Sequence, residues 1–334
     1  MKKKYKLALV GATGLVGRTA MKVLEEKKLP IDEYHFFASS KSAGKSLSFM
    51  GNIYQVEELC ETSFDIGFDF AIFCAGAEIS KHFAPIAVSK NCIVIDNSSA
   101  FRMNDDVPLV VPEVNMNDAF LHKGIIANPN CSTIQAVVAL KPLDQHFRIQ
   151  RIVYTTFQAV SGAGNKGIED LENGLKCLPP TKFPQTIFNN CIPHIDYFLD
   201  NGYTKEEMKM IQETQKILHK PDLNITATAV RVPVFNCHSE AINVEFCKNF
   251  IFKDLKHILK EAPGIVLQDN PEENLYPLAA NCSGHNEVFI GRIRRDFSVS
   301  SGINFWVVAD NVRKGAATNA VQILEGLINE KFAV

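Results

Sequence analysis

Three features are missing from this chain, and each absence excludes a class of protein. No apolar stretch reaches the roughly 18 residues that a bilayer-spanning helix requires, so no membrane segment is expected. No cluster of lysine and arginine is large enough for a nucleic-acid surface, and the net charge is only −2. None of the nine cysteines forms a CxxC pair, so neither a disulfide framework nor a zinc site is indicated, and no metal is expected. An odd, scattered set of thiols fits a reduced, cytoplasmic protein. There is also no internal repeat, low-complexity tract or extended linker. The opening MKKKYKLALVGATGLVG has the basic start and apolar run of a secretory leader. Arg18 interrupts that run, no small-x-small site precedes a mature start, and the same residues make a better strand–turn–helix.

What is present is 334 residues, 46% hydrophobic and 22% charged, enough for a real core and for two domains. Tyr5 to Val10 reads as a buried strand entering Gly11-Ala12-Thr13-Gly14-Leu15-Val16-Gly17, then a helix through about Lys27. Glycines at a strand-to-helix turn let the backbone approach a pyrophosphate at the helix N-terminus. The next strand, Tyr34 to Ala38, should carry the ribose-reading residue at its end. An NAD enzyme usually places Asp or Glu there, whereas this chain has Ser39-Ser40-Lys41-Ser42-Ala43-Gly44-Lys45. A lysine among hydroxyls suits a 2′-phosphate, which points to NADP; the alternative is a solvated basic loop. Strands at Phe68 to Cys74 and Cys92 to Asp96, with a helix from Glu78 to Ser89 between them, imply a parallel, doubly wound sheet. Ala75-Gly76 would border the cofactor. Arg102, just beyond the second of these strands, is a candidate anion binder or a solvated loop residue.

The centre of the chain is Asn128-Pro129-Asn130-Cys131-Ser132-Thr133-Ile134-Gln135. A turn precedes Cys131 and an amphipathic helical pattern follows it, with Ser132 and Thr133 as expected N-caps. At a helix N-terminus, amide N–H groups and the helix dipole favour a thiolate, so Cys131 is the expected nucleophile. A buried structural cysteine is the alternative. Arg151 to Ala159 is a β-branched strand containing Gln158, followed by Ser161-Gly162. A proline-rich irregular stretch, Leu178 to Pro193, leads to His194-Ile195-Asp196. The helix Lys205 to His219 opens on a capping box, Thr204 to Glu207. Glu206 and Lys209 share one of its faces, as a surface pair would. Strands at Ala227 to Val234, Ser239 to Cys247 and Val299 to Val308 suggest a larger, mostly antiparallel sheet. Arg231 in an apolar strand needs a partner, and His238 sits in a turn. Asp310-Asn311 opens a C-terminal helix running to about Lys331 and expected to return to the first domain.

These segments, in this order, carry a resemblance. GATGLVG, ASSKSAGK, DNSSAFR, NPNCSTIQ, FQAVSGAG, IPHID, EEMK with ETQKIL, RVPVFNCHS and DNVRKGAATNAVQ are similar to the motifs of the aspartate-β-semialdehyde dehydrogenase family over essentially the full chain. The resemblance implies a Rossmann-type NADP-binding domain at 1–130, completed by 311–334. An α+β catalytic and dimerisation domain, with a mostly antiparallel sheet, would span 131–310. It implies NADPH-dependent reduction of L-aspartyl-4-phosphate to L-aspartate 4-semialdehyde and phosphate, on the route to lysine (through diaminopimelate), threonine and methionine. In that family's pattern Cys131 forms the acyl-thioester, His238 is the acid/base and Gln158 orients the acyl group. Arg231 holds the substrate carboxylate, Glu206 the amino group, and Arg102, Asn130 and Lys209 the phosphate. Cofactor contacts are implied at Gly11, Thr13, Gly14, Leu15, Val16, Ser39, Ser40, Lys41, Ser42, Ser161, Gly162 and Asn311. Lys41 stands where many relatives carry arginine. A homodimer, or a dimer of dimers, built on the second domain's sheet is implied too. The rivals are a reductase of the N-acetyl-glutamyl-phosphate type, against which the Glu206 site argues, and a non-catalytic NADP-binding relative, which would have lost the nucleophile or the base.

Overall fold

The computed structural model describes residues 4–331; Lys2 and Lys3 of the basic start and the last three residues of the expected C-terminal segment lie outside them. The chain forms two compact units. One runs up to Pro129 and resumes at Ala316, and the other spans Asn130–Gly315. The sequence boundaries of 130 and 311 differ from these by one residue at the first crossing and by five at the second, so Asn130 and Asn311 both lie in the second unit.

In the first unit β1 (Tyr5–Val10), α1 (Leu15–Lys27), β2 (Ile31–Ala38), the hairpin β3 (Ser46–Phe49) and β4 (Asn52–Gln55), β5 (Glu57–Glu58), β6 (Phe70–Phe73), α2 (Ala77–Ser89), β7 (Ile93–Asp96) and β8 (Ile125–Ala127) follow in order. Six of the strands make one sheet, β5-β2-β1-β6-β7-β8, parallel throughout. Alternation along β1 sets the two faces. Tyr5, Leu7 and Leu9 join one core with Ala20, Val23 and Leu24 of α1. Ala8 and Val10 join another with Ala84 and Ala87 of α2. A strand buried on both faces must be apolar throughout, as this one is. At the β1–α1 turn Gly11 has φ +84°, and a Cβ there would lie 2.7 Å from the Cys74 carbonyl carbon. Only glycine fits that approach.

The second unit contains α3 (Cys131–Phe147), β9 (Ile149–Gln158), α4 (Asn165–Leu175), α5 (Lys205–Ile217), β10 (Asn224–Arg231), β11 (His238–Phe246), α6 (Phe252–Glu261), β12 (Ile265–Leu267), β13 (Val288–Arg295) and β14 (Gly302–Ala309). Its sheet is ordered β10-β9-β11-β14-β13-β12. The three central pairings are antiparallel, and the edge pairs β10–β9 and β12–β13 are parallel. A π-helical turn, Arg313–Thr318, precedes α7 (Asn319–Lys331), so the helix begins later than Asp310. Ile323, Leu324 and Leu327 of α7 join the same core of the first unit as α1.

Two local expectations change. Helix α3 is not amphipathic in its first half: every residue from Ser132 to Leu140 is buried. The helix lies between the sheet strands β9, β11 and β14 and the helices α5 and α6, so it has no solvent side to make polar. Strand β13 was missed because Val288–Arg295 mixes five buried apolar or glycine positions with exposed arginines, which breaks both strand patterns.

Candidate active site

The sequence candidates divide between the units. Gly11, Thr13, Gly14, Leu15, Val16, Ser39, Ser40, Lys41, Ser42 and Arg102 lie in the first. Asn130, Cys131, Gln158, Ser161, Gly162, Glu206, Lys209, Arg231, His238 and Asn311 lie in the second.

In the first unit, Gly14 precedes α1 and Gly76 precedes α2 as N-cap residues, and neither N-terminus is capped by a side chain. Both follow strands at the carboxyl edge of the parallel sheet, where uncapped amide N–H groups and the helix dipole suit a dinucleotide phosphate. Ser39, Ser40 and Lys41 are exposed in the turn that leaves β2, and no carboxylate occupies that turn. The donor set fits a dinucleotide carrying an extra phosphate. Arg102 is buried, its Nε donating to the Asn128 carbonyl and its Nη2 to the Asn97 carbonyl, both at 2.9 Å. It is anchored rather than solvated.

In the second unit the cap of α3 is Asn130, not Ser132 or Thr133. Its Oδ1 accepts the N–H of Ser132 at 3.0 Å and of Thr133 at 3.4 Å. The helix therefore starts at least two residues earlier, with Cys131 as its first residue. Asn130 is itself held: its N–H donates to Glu213 at 2.6 Å and its Nδ2 to Glu206 at 2.9 Å. An Asn cap contributes about 1 kcal/mol, and here it also fixes where the thiol emerges.

Around it stand three polar side chains that strand alternation brings to one sheet face. Gln158 ends β9, Arg231 ends β10, and His238 begins β11. The Ala159 N–H donates to His238 Nδ1 at 3.1 Å, so the neutral ring carries its proton on Nε2. His238 is fully buried, and its Nε2 has no partner among the described residues. Burial, then the nearby Arg231 charge, bring its pKa down to about 3, with Glu206 opposing. An imidazole titrating near neutrality is therefore not what the fold provides; His238 is a neutral donor. Beside it, a Cβ on Gly162 would come 2.8 Å from Arg231 Nη1 and 3.1 Å from His238 Nε2. Glycine keeps both groups accessible to a ligand atom. Arg231 donates through Nη1 to the Ala159 carbonyl at 2.7 Å. Burial works against its charge, while Glu206 and ionised Cys131 support it. That reciprocal attraction and the helix N-terminus both favour Cys131 as an anion.

Glu206 and Lys209 are not a solvated surface pair. Glu206 is 5% exposed and accepts from Asn130, Gln158 (3.1 Å) and Lys209 (3.0 Å). Burial alone would raise its pKa, but the Lys209 charge and these three hydrogen bonds outweigh it and hold the value at about 2. Lys209 also donates to Asp196 at 2.9 Å. Its burial is outweighed by Glu206 and Asp196, and its pKa is raised. Ser161 and Asn311 hydrogen-bond each other, and Asn311 Oδ1 accepts the Cys237 N–H at 3.0 Å. They thereby brace the turn in front of His238.

Several participants escaped the sequence reading. Asp196 shares Lys209, Glu213 holds the α3 cap, and Phe183 lies 5.7 Å from the Arg231 guanidinium. The IPHID segment gave a hint of Asp196; nothing local marked the other two. Glu240 was also missed. It is fully buried two residues after His238, and neither carboxyl oxygen has a partner among the described residues. Among those residues no group of His, Cys, Asp and Glu could hold a metal ion, no helix is long and apolar enough to cross a membrane, and no cysteine is bridged.

Known proteins resemble this chain in sequence and fold. Residues 6–122 match the family model "Semialdehyde dehydrogenase, NAD binding domain", and residues 140–314 match "Semialdehyde dehydrogenase, dimerisation domain". An aspartate-semialdehyde dehydrogenase of Aquifex aeolicus is 52% identical over 98% of both chains, and one of Bacillus subtilis is 47% identical over 96% of both. The crystal structure of aspartate semialdehyde dehydrogenase II from Vibrio cholerae, complexed with ASA, superposes with a TM-score of 0.94 at 46% identity, covering 98% of this chain and 99% of that one. The Candida albicans enzyme with NADP superposes at 0.78 and 26% identity, over 97% and 98% of the two chains. This chain belongs to the aspartate-semialdehyde dehydrogenase family.

Proposed function

We propose that this protein reduces L-aspartyl-4-phosphate with NADPH to L-aspartate 4-semialdehyde and phosphate, feeding lysine, threonine and methionine synthesis. The observation that carries the reading is the electrostatic grouping of Cys131, Arg231 and Glu206 around a neutral, inward-facing His238. A substrate with a carboxylate, an ammonium and an acyl group matches it charge for charge.

The Cys131 thiolate, sustained by Arg231 and the helix N-terminus, attacks the acyl-phosphate carbonyl. The carbon–oxygen bond to phosphate breaks, and phosphate leaves with the electron pair toward the Lys209 ammonium. A thioester on Cys131 remains. Bound NADPH supplies the hydride that reduces the thioester carbon. His238 donates from Nε2–H to the oxygen that becomes anionic in both tetrahedral stages, and the carbon–sulfur bond then breaks to release aldehyde. Taking the thiol proton is not its part, because Nε2 already carries one and Nδ1 is engaged by Ala159. Arg231 holds the α-carboxylate through its remaining N–H groups. Glu206, ionised throughout the neutral range, receives the ammonium, and Gln158 and Asn130 are fixed on Glu206 beside it.

NADP rather than NAD follows from the acid-free Ser39–Ser42 turn. Lys41→Ala should lower the NADP-over-NAD ratio of kcat/KM about tenfold, from the loss of one exposed charge-assisted contact; an unchanged ratio would leave the serines as the readers. Self-association is part of the reading. Thr155, Phe157, Ala241 and Trp306 leave the second sheet half-buried on the face away from α3, which suits a homodimer of a cytoplasmic enzyme acting on small molecules, with no nucleic-acid or membrane partner.

Reduction of NADP by purified protein given L-aspartate 4-semialdehyde tests the function, with phosphate or arsenate in one cuvette and neither in the other. Rapid anion-dependent NADPH formation is expected. Inactivity of the folded protein, with turnover on the N-acetylated glutamate homologue, would reassign the substrate.

A further inference from the structure

Asp170, on α4, is 2% exposed and spends its whole carboxylate on one turn. Oδ1 accepts the Thr181 N–H at 2.8 Å and the Thr181 hydroxyl at 2.9 Å, and Oδ2 accepts the N–H groups of Lys182 and Phe183, both at 2.8 Å. Burial would raise its pKa, but the bonds from Phe183, Thr181 and Lys182 outweigh it and keep the group ionised. Thr181 and Lys182 are exposed, so no apolar contact of theirs seats the turn; the carboxylate does. Phe183 points inward. It packs against the cluster formed by Val160, Leu171, Ile187 and Ile192, and its ring centroid lies 5.7 Å from the Arg231 guanidinium carbon. Further along the same segment, Ile192 exchanges two 2.9 Å backbone hydrogen bonds with Arg231. One strap thus meets the arginine at both backbone and side chain. Gly162 lies close against Nη1 of the same guanidinium.

We propose that Asp170 is a positioning residue for substrate binding. By fixing the Thr181–Phe183 turn, it sets the Phe183 ring against Arg231 and thereby the orientation of the fork that receives the substrate carboxylate. The proposal rests on the assignment of Arg231 to that carboxylate. The ring supplies a cation–π contact and screens the guanidinium from water, both of which strengthen a bidentate ion pair. Charge-assisted bonds from three backbone N–H groups and a hydroxyl make the turn stiff enough to hold the ring in register.

The test compares steady-state kinetics and thermal midpoints of the wild type with Asp170→Asn, Phe183→Leu, the double variant and Phe183→Tyr. Each of the first two should raise KM for L-aspartate 4-semialdehyde about tenfold, with kcat within about threefold and KM for NADP unchanged. The double variant should be no worse than the worse single one, because Asp170 acts through Phe183; Phe183→Tyr, which keeps the ring, should match the wild type. Multiplying effects in the double variant would overturn the proposal. So would a joint loss of kcat and both KM values tracking the thermal midpoint, which is what a merely structural role predicts. If Asp170→Asn does not fold, the leucine and tyrosine variants decide alone, and equal KM values for both overturn it. Arg231→Lys separates this from the parent reading. An unchanged substrate KM there removes the carboxylate assignment itself, whereas a raised one with silent Asp170 and Phe183 variants removes only the present proposal.

Discussion

Cys131→Ala is expected to abolish turnover, by more than about 10⁴-fold in kcat, while NADP binding is retained. The argument is local. Asn130 caps α3 through Oδ1 and is tied to Glu213 and Glu206, so the first helical residue is held in place whichever side chain it carries. Alanine there keeps the cap, the helix and the neighbouring charges, and removes only the sulfur. Neither buried thiol of the second unit replaces it: Cys237 and Cys282 have pKa values pushed up, chiefly by burial. Ser132 is fully buried. Isothermal titration with NADP and a stopped assay on the same preparation check both halves. Retained turnover would remove Cys131 as nucleophile.

Glu240→Gln should stabilise the protein progressively as pH rises. Glu240 is fully buried, and burial raises its pKa well above 4.5. The folded protein therefore keeps a proton that the unfolded chain loses above pH 4.5. A raised folded value means that this group's contribution to stability is present below the unfolded value and is lost as pH climbs toward the folded one. Each pH unit between the unfolded and the folded value costs about 1.4 kcal/mol. Glutamine has nearly the same shape and does not titrate. His238 and Glu206 act in the opposite sense. Their depressed values, about 3 and about 2, give stability that is complete above about 6.5 and 4.5 respectively and is lost as pH falls through the folded values. Both groups are present in wild type and variant alike, so the difference in thermal midpoint between the two isolates Glu240. That difference should grow as pH rises above 4.5. A constant offset would mean that Glu240 does not hold its proton.

Much of this was legible in the sequence, for reasons that differ by element. β1 and α1 were readable because a strand buried on both faces and a glycine turn leave unambiguous local patterns. Cys131 was readable from a turn, a polar triplet and an apolar helix, although the cap moved to Asn130, whose side chain reaches forward to two amides that Ser132 and Thr133 cannot serve from inside the helix. Glu206 and Lys209 read as a surface pair because i,i+3 spacing says nothing about burial; only the packing of α5 against α3 and β10 takes them out of solvent. His238 shows the same limit. Its identity suggested a group titrating near neutrality, whereas the Ala159 amide, remote in sequence, fixes the tautomer, and burial, then the Arg231 charge, hold the ring neutral. Asp170, Phe183 and Glu240 act through neighbours that are distant in the chain or, for Glu240, through having none, and no spacing rule marks such residues.

The most direct test of the acyl-enzyme is rapid mixing of the wild type with NADP and L-aspartate 4-semialdehyde in buffer free of phosphate and arsenate. Attack by Cys131 and hydride transfer can then proceed, but release of the acyl group cannot. The predicted result is NADPH formation that stops at about one equivalent per chain and resumes on addition of phosphate. Steady turnover from the first instant without any anion, or an equal burst from Cys131→Ala, would contradict covalent catalysis at Cys131.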